Sequence, residues 1–174
     1  MSDLTIPVSE ADHIQGSAQA PATLLEYGDY QCPYCGQAYP IIKELQETLG
    51  GKLRFVFRNF PLTGAHPYAE LAAEAAEAAA MSGKFWEMHD TLYENQEALS
   101  EESLVEYARQ LRLDVPKFVE DIAKRRFKSR VKDDFMGGVK SGVSGTPGFF
   151  INGKKHNGSW DYDTLLHALS RYRG

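Results

Sequence analysis

Apolar positions along this chain repeat with two different periods. Thr23-Leu24-Leu25-Glu26-Tyr27 is a short apolar run ended by Gly28-Asp29, which reads as a strand. From Pro33 to about Leu49 the spacing lengthens, with Ile41, Ile42, Leu45 and Leu49 on one helical face and Gly50-Gly51 closing the run. Leu53 to Arg58 is again short and apolar, broken at Pro61. Strand, helix and strand in that order predict parallel neighbours joined by a right-handed crossover. From about His66 to Val139 the pattern is helical almost throughout. Pro67 suits a first turn, and Gly83 stops the Ala-rich helix after it. The next helix presents Phe85, Met88, His89, Leu92 and Tyr93 on one face. Ser100 caps a third with Leu104, Tyr107, Ala108 and Leu111 inward. Asp114 and Pro116 open a fourth around Phe118 and Ile122, and Val131, Phe135 and Val139 mark a fifth. Strand character returns at Gly148 to Ile151. Asn152-Gly153 signals a tight hairpin into Lys154 to Gly158, and Asp161 caps a last helix with Leu165, Leu166, Leu169 and Tyr172 inward. Residues 1–22 read as an extended lead-in with one short strand near His13-Ile14.

The order β-α-β, five helices, β-β-α predicts an α/β layer structure interrupted by helices. Residues 1–62 and 142–174 form the layered domain and 63–141 a helical insertion domain. At 174 residues the chain can bury a full core without disulfides or metals, so the fold does not require its two cysteines. The formal net charge is −5. Lys124, Arg125, Arg126, Lys128 and Arg130 form the one basic cluster, flanked by Glu120, Asp121, Asp133 and Asp134. That mixture reads as a solvated helix face rather than a nucleic-acid surface. No apolar stretch is long enough to span a membrane. The first seven residues carry neither a basic nor an apolar leader segment. A cytoplasmic location is therefore expected, or one outside the cytoplasm if a signal has been removed.

Two cysteines three residues apart cannot build a disulfide framework. Cys32 stands where the first helix begins, and Pro33 occupies its first position, where a missing N–H is no loss. Cys35 lies one turn on, on the same face, within bridging reach. Free N–H groups and the positive end of the helix dipole favour a Cys32 thiolate, whereas Cys35 should be more buried and protonated. Such a pair performs disulfide exchange: Cys32 attacks, a mixed disulfide forms, and Cys35 resolves it. A zinc site would need two more ligands, but the sequence offers no second pair of cysteines and its five histidines are scattered, so no metal is expected. A purely structural bridge closing so short a loop would restrain little of the unfolded chain.

With Leu24-Leu25-Glu26-Tyr27-Gly28-Asp29-Tyr30-Gln31-Cys32-Pro33-Tyr34-Cys35, and later Gly142-Val143-Ser144-Gly145-Thr146-Pro147-Gly148-Phe149-Phe150-Ile151-Asn152-Gly153, the sequence resembles the DsbA-like branch of the thioredoxin superfamily. The resemblance covers nearly the whole chain. It implies a thioredoxin fold with an inserted α-helical domain. It also implies a cofactor-free thiol–disulfide oxidoreductase acting on protein or peptide thiols and disulfides, with an unidentified redox partner. Pro147 falls where the family places a cis-proline facing the cysteines, and Thr146 then offers its backbone to an extended substrate. Glu26 matches the family's buried acid, placed to exchange a proton with Cys35 through water. Pro40 matches a proline that bends the active-site helix. Pro33, Tyr34, Thr146 and Pro147 are the implied substrate contacts, with Tyr34 and Tyr30 expected at an apolar rim. His89 reads as a hydrogen-bonded interface histidine. The dipeptide Pro33-Tyr34 departs from the Pro-His of strongly oxidising relatives, which points to a less oxidising couple. Two other classes stand beside this reading. A glutathione-dependent transferase or isomerase on a related fold is opposed by Cys35, which such relatives usually lack. A non-enzymatic client-binding module would ignore the redox state of the pair.

Overall fold

The chain runs β1 (His13–Gly16), β2 (Ala22–Gly28), α1 (Pro33–Leu49) and β3 (Leu53–Asn59). Five helices follow: α2 (Ala69–Ala80), α3 (Phe85–Glu94), α4 (Glu101–Gln110), α5 (Val115–Ala123) and α6 (Lys128–Lys140). It closes with β4 (Gly148–Ile151), β5 (Lys154–His156) and α7 (Tyr162–Ser170). The structure is a computed structural model and describes residues 3–173. One five-stranded sheet has the order β1-β3-β2-β4-β5. β2 and β3 are parallel, as a helical crossover demands, and the other pairings are antiparallel. This is the DsbA-type thioredoxin arrangement, a mixed sheet with α2 to α6 between β3 and β4.

All seven residues of β2 are buried, because helices or loops cover both faces of the sheet. Side chains alternate across it. Leu24, Phe55, Phe57, Phe149 and Ile151 join the larger core with α1, α7 and the inserted helices. Leu25, Tyr27, Val56, Phe60 and Phe150 form a second core under the lead-in segment and Phe135 of α6. Strand alternation puts Glu26 on the α1 side, and that places a carboxyl in the core beneath the cysteines.

Local capping follows the side chains. Ser100, Asp114 and Asp161 each accept the N–H three residues on, at 3.2, 3.1 and 2.9 Å. Asn152 and Gly153 both have positive φ, 47° and 83°, the geometry of the tight hairpin turn. Arg58 ties the lead-in to the sheet. Its guanidinium donates to Asp12 at 2.8 and 3.0 Å and to the carbonyls of Ile6 and Pro7.

The structure departs from the sequence pattern in four places. Pro67 lies in a turn ahead of α2. Val139 and Tyr172 point outward, 46% and 37% exposed, because the α6 positions over the sheet are taken by glycines and α7 ends at Ser170. The basic cluster is not one helix face. It crosses the turn from α5 to α6, where Arg125 Nε donates to Glu74 at 3.0 Å and Arg126 Nε pairs with Asp121 at 2.6 Å. Gly138 of α6 packs close to Phe60 and to Tyr27 of β2. A Cβ there would lie 2.7 Å from the Phe60 ring and 3.0 Å from Tyr27. Gly138→Ala is therefore expected to lower the unfolding free energy by about 2 kcal/mol, through overpacking, in a urea titration.

Candidate active site

α1 begins at Pro33 with Cys32 as its extended N-cap residue, and Pro40 lies inside it. Because α1 starts shortly after β2 ends, both cysteines stand beyond the C-terminal end of the central strand. Both are free thiols. Both are buried, Cys32 at 3% and Cys35 at 0% exposure, so Cys32 is the less enclosed of the two. The Cys35 thiol donates to the Cys32 sulfur, and this holds the Cys32 thiol down to about 5 from an ordinary 9.0 against the opposing effect of burial. The Thr146 side chain and the N–H groups of Cys35 and Tyr34 act in the same direction. The N–H groups expected from the start of the helix are thus among the causes, alongside the partner thiol. Burial pushes the Cys35 thiol well up, with the bond to Cys32 and the nearby Glu26 charge adding to it.

Glu26 lies beneath the pair with 2% exposure. Burial, then the charge on Cys32, raises its carboxyl from 4.5 to about 8, partly offset by a hydrogen bond with Cys35. Its Oε2 has no hydrogen-bond partner. Gly28 makes room for it, since a Cβ there would sit 2.9 Å from that oxygen and 2.5 Å from the Phe57 ring. Cys32, Cys35 and Glu26 thus form a chain running inward: an ionisable nucleophile, a protonated thiol, and an acid that exchanges its proton near neutrality.

The second half of the site comes from the segment before β4. Thr146-Pro147 is a cis peptide bond, and the Cys32 thiol reaches the Thr146 carbonyl at 3.7 Å. Thr146 and Pro147 are half-buried beside the cysteines, while Pro33 and Tyr34 face outward, Tyr34 at 61% exposure. Tyr30 does not join that rim. It is fully buried, its hydroxyl 2.9 Å from His89 Nδ1, and its ring packs on Phe57 and Tyr93. Burial drives the His89 imidazole well below its usual range, so it sits there neutral, as an interface residue.

Two positioning groups escaped the sequence reading. Gln96, beyond α3, donates its amide to the carbonyls of Tyr30 at 3.0 Å and Cys32 at 2.9 Å. Gly36 admits it, because a Cβ at that position would lie 2.0 Å from Gln96 Oε1. No local pattern could have announced a contact across 64 residues. Asp29 is the other, its carboxylate accepting the N–H groups of Gln31 at 2.7 Å and Cys32 at 3.1 Å. An Asp two residues before the first of these donors is an Asx-turn signal that was available in the sequence. Among the described residues no group of three or more His, Cys, Asp or Glu side chains is placed to hold a metal ion.

The model of the Thioredoxin family matches residues 8–171. BdbD from Bacillus subtilis, in its oxidised crystal structure, superposes with a TM-score of 0.85 at 26% identity, covering 98% of this chain and 97% of that one. Alpha-DsbA1 from Wolbachia pipientis gives 0.81 at 19% identity, over 97% and 94% of the two chains, a likeness of fold. A curated relative from Salinispora arenicola, named Na(+)/H(+) antiporter NhaA 1, is 48% identical over 97% of this chain but only 26% of its own length. The chain therefore spans about a quarter of the curated relatives it matches. No helix among the described residues is long and apolar enough to cross a membrane.

Proposed function

We propose, from the premise that this chain belongs to the thioredoxin family, that it is a thiol–disulfide oxidoreductase exchanging electrons with protein or peptide substrates through Cys32 and Cys35. The observation that carries the reading is the asymmetry of the pair. The less enclosed sulfur is stabilised as an anion by a buried, protonated partner one helical turn away.

The Cys32 thiolate attacks one sulfur of a substrate disulfide. The Cys32–substrate bond forms as the substrate's own S–S bond breaks, and the departing thiolate takes a proton. Cys35 gives up its proton as it attacks the Cys32 sulfur. The second substrate thiol leaves, and the Cys32–Cys35 pair is left oxidised. Glu26 lies next to Cys35, and once the Cys32 charge is lost to the mixed disulfide one cause of its raised carboxyl is gone, which favours the ionised form that takes that proton. Thr146 and Pro147 form the wall against which an extended substrate would lie, with Tyr34 at the open rim. The same steps reversed oxidise a dithiol.

Direction is set by the reduction potential of the pair. A thiolate held at about 5 stabilises the reduced form selectively, more than thioredoxin's does at about 7 and less than DsbA's at about 3.5. The couple is expected to fall between their potentials of about −270 and −120 mV, measured against a glutathione buffer. A pair that does not equilibrate reversibly in that window would overturn the proposal. The value also sorts the compartment. A potential near the cytosolic glutathione poise fits a cytoplasmic reductase or isomerase, and a much higher one fits an oxidase outside the cytoplasm. The quarter-length match to proteins named as ion antiporters favours one further setting, in which such a module works joined to a transporter.

A further inference from the structure

Asp29 is 1% exposed and all its carboxylate bonding is directed. Oδ1 accepts the N–H groups of Gln31 and Cys32 at 2.7 and 3.1 Å, from the turn that opens α1. Oδ2 accepts the Leu62 N–H at 2.9 Å and the His66 Nδ1 donor at 2.7 Å, from the loop between β3 and α2. That loop grips the same turn a second time, where the Tyr68 N–H donates to Gln31 Oε1 at 2.8 Å. The loop is itself held to the sheet by the Phe60 N–H on the Gly28 carbonyl at 2.7 Å. Three of the four donors to Asp29 are main-chain groups that no side-chain change removes. Among the described residues His66, its side chain 19% exposed, is the only donor supplied by a side chain.

We propose that His66 and Asp29 are positioning residues for the nucleophile: the imidazole N–H anchors the Asp29 carboxylate, and the carboxylate fixes the main chain of Cys32. The proposal rests on Cys32 being the attacking sulfur. Its physical content is local. The N–H groups of Tyr34 and Cys35 and the Thr146 side chain favour the thiolate only while the Cys32 backbone stays in register with them. Loosening Asp29 lets that register drift, and the drift disfavours the anion.

The test uses the full reduced chain and iodoacetamide, with the labelled cysteine located by mass spectrometry. His66→Ala is expected to slow Cys32 alkylation at pH 6 about tenfold and to shift the pH midpoint of the rate upward. His66→Asn keeps an N–H donor near the Nδ1 position and is expected to stay within about twofold of the parent. If the alanine variant does not give the parent's circular dichroism, His66→Phe keeps the ring without the donor, and the same slowing is expected of it. A donor-free variant alkylating at the parent's rate, or an asparagine variant as slow as the donor-free one, overturns the proposal. Failure of the exchange reading itself would look different: the unmodified protein's Cys32 would ionise like a free cysteine.

Discussion

Cys32→Ser is expected to abolish disulfide exchange in both directions, lowering reduction of a protein disulfide and oxidation of a dithiol by about 10³-fold or more. A serine hydroxyl is not ionised near neutrality and cannot form the mixed disulfide. Cys35→Ala should behave differently. Cys32 is retained, so attack proceeds and the mixed disulfide accumulates as a species visible on a non-reducing gel. It should lose the bond that holds the Cys32 thiol low, and alkylation of Cys32 at pH 6 should slow. A glutathione-dependent enzyme would keep turning over in Cys35→Ala, and a redox-indifferent binding module would be unaffected by either change. Cys32→Ser retaining full exchange activity would refute the assignment.

Glu26→Gln should have the largest effect on stability. The folded protein holds the Glu26 proton up to about 8, whereas the unfolded chain releases it near 4.5. The folded state therefore binds the extra proton between those values. Stability present below about pH 4.5 is lost as pH rises toward 8. Removing the ionisable group should raise the unfolding free energy of the reduced protein by roughly 3 kcal/mol at pH 7 and change it little at pH 4. The gain is expected to come with a cost in turnover. Without a proton acceptor, resolution of the mixed disulfide by Cys35 should slow by at least about tenfold. Urea titrations at the two pH values, with single-turnover exchange kinetics, check both parts. Equal destabilisation at pH 4 and 7 would show that the carboxyl matters only for packing.

The fold was largely legible because its signals are local. The caps Ser100, Asp114 and Asp161, the Asn152-Gly153 turn and the period change between Leu25 and Ile42 each depend on a few neighbouring residues. Cys32 and Cys35 are legible for the same reason, since one helical turn puts them on one face, whereas Glu26 comes only from the family resemblance and its place on the α1 side of the sheet is read from the fold. Tyr30 was misplaced because adjacency to the motif says nothing about which way the turn aims a side chain, and here it aims into the core beside His89. The basic cluster is not a single helix face because the chain turns within it between α5 and α6, at Arg125 with a φ of 51°. Gln96 and His66 act on the turn from distant loops, and only the folded chain brings them there.

The most direct measurement is the pH dependence of Cys32 alkylation in the reduced protein. A single ionisation with its midpoint near 5 is expected, with Cys35 unlabelled throughout. A midpoint near that of free cysteine, about 8.5, or labelling of both sulfurs at equal rates, would contradict the claim that the buried thiol holds its neighbour as an anion.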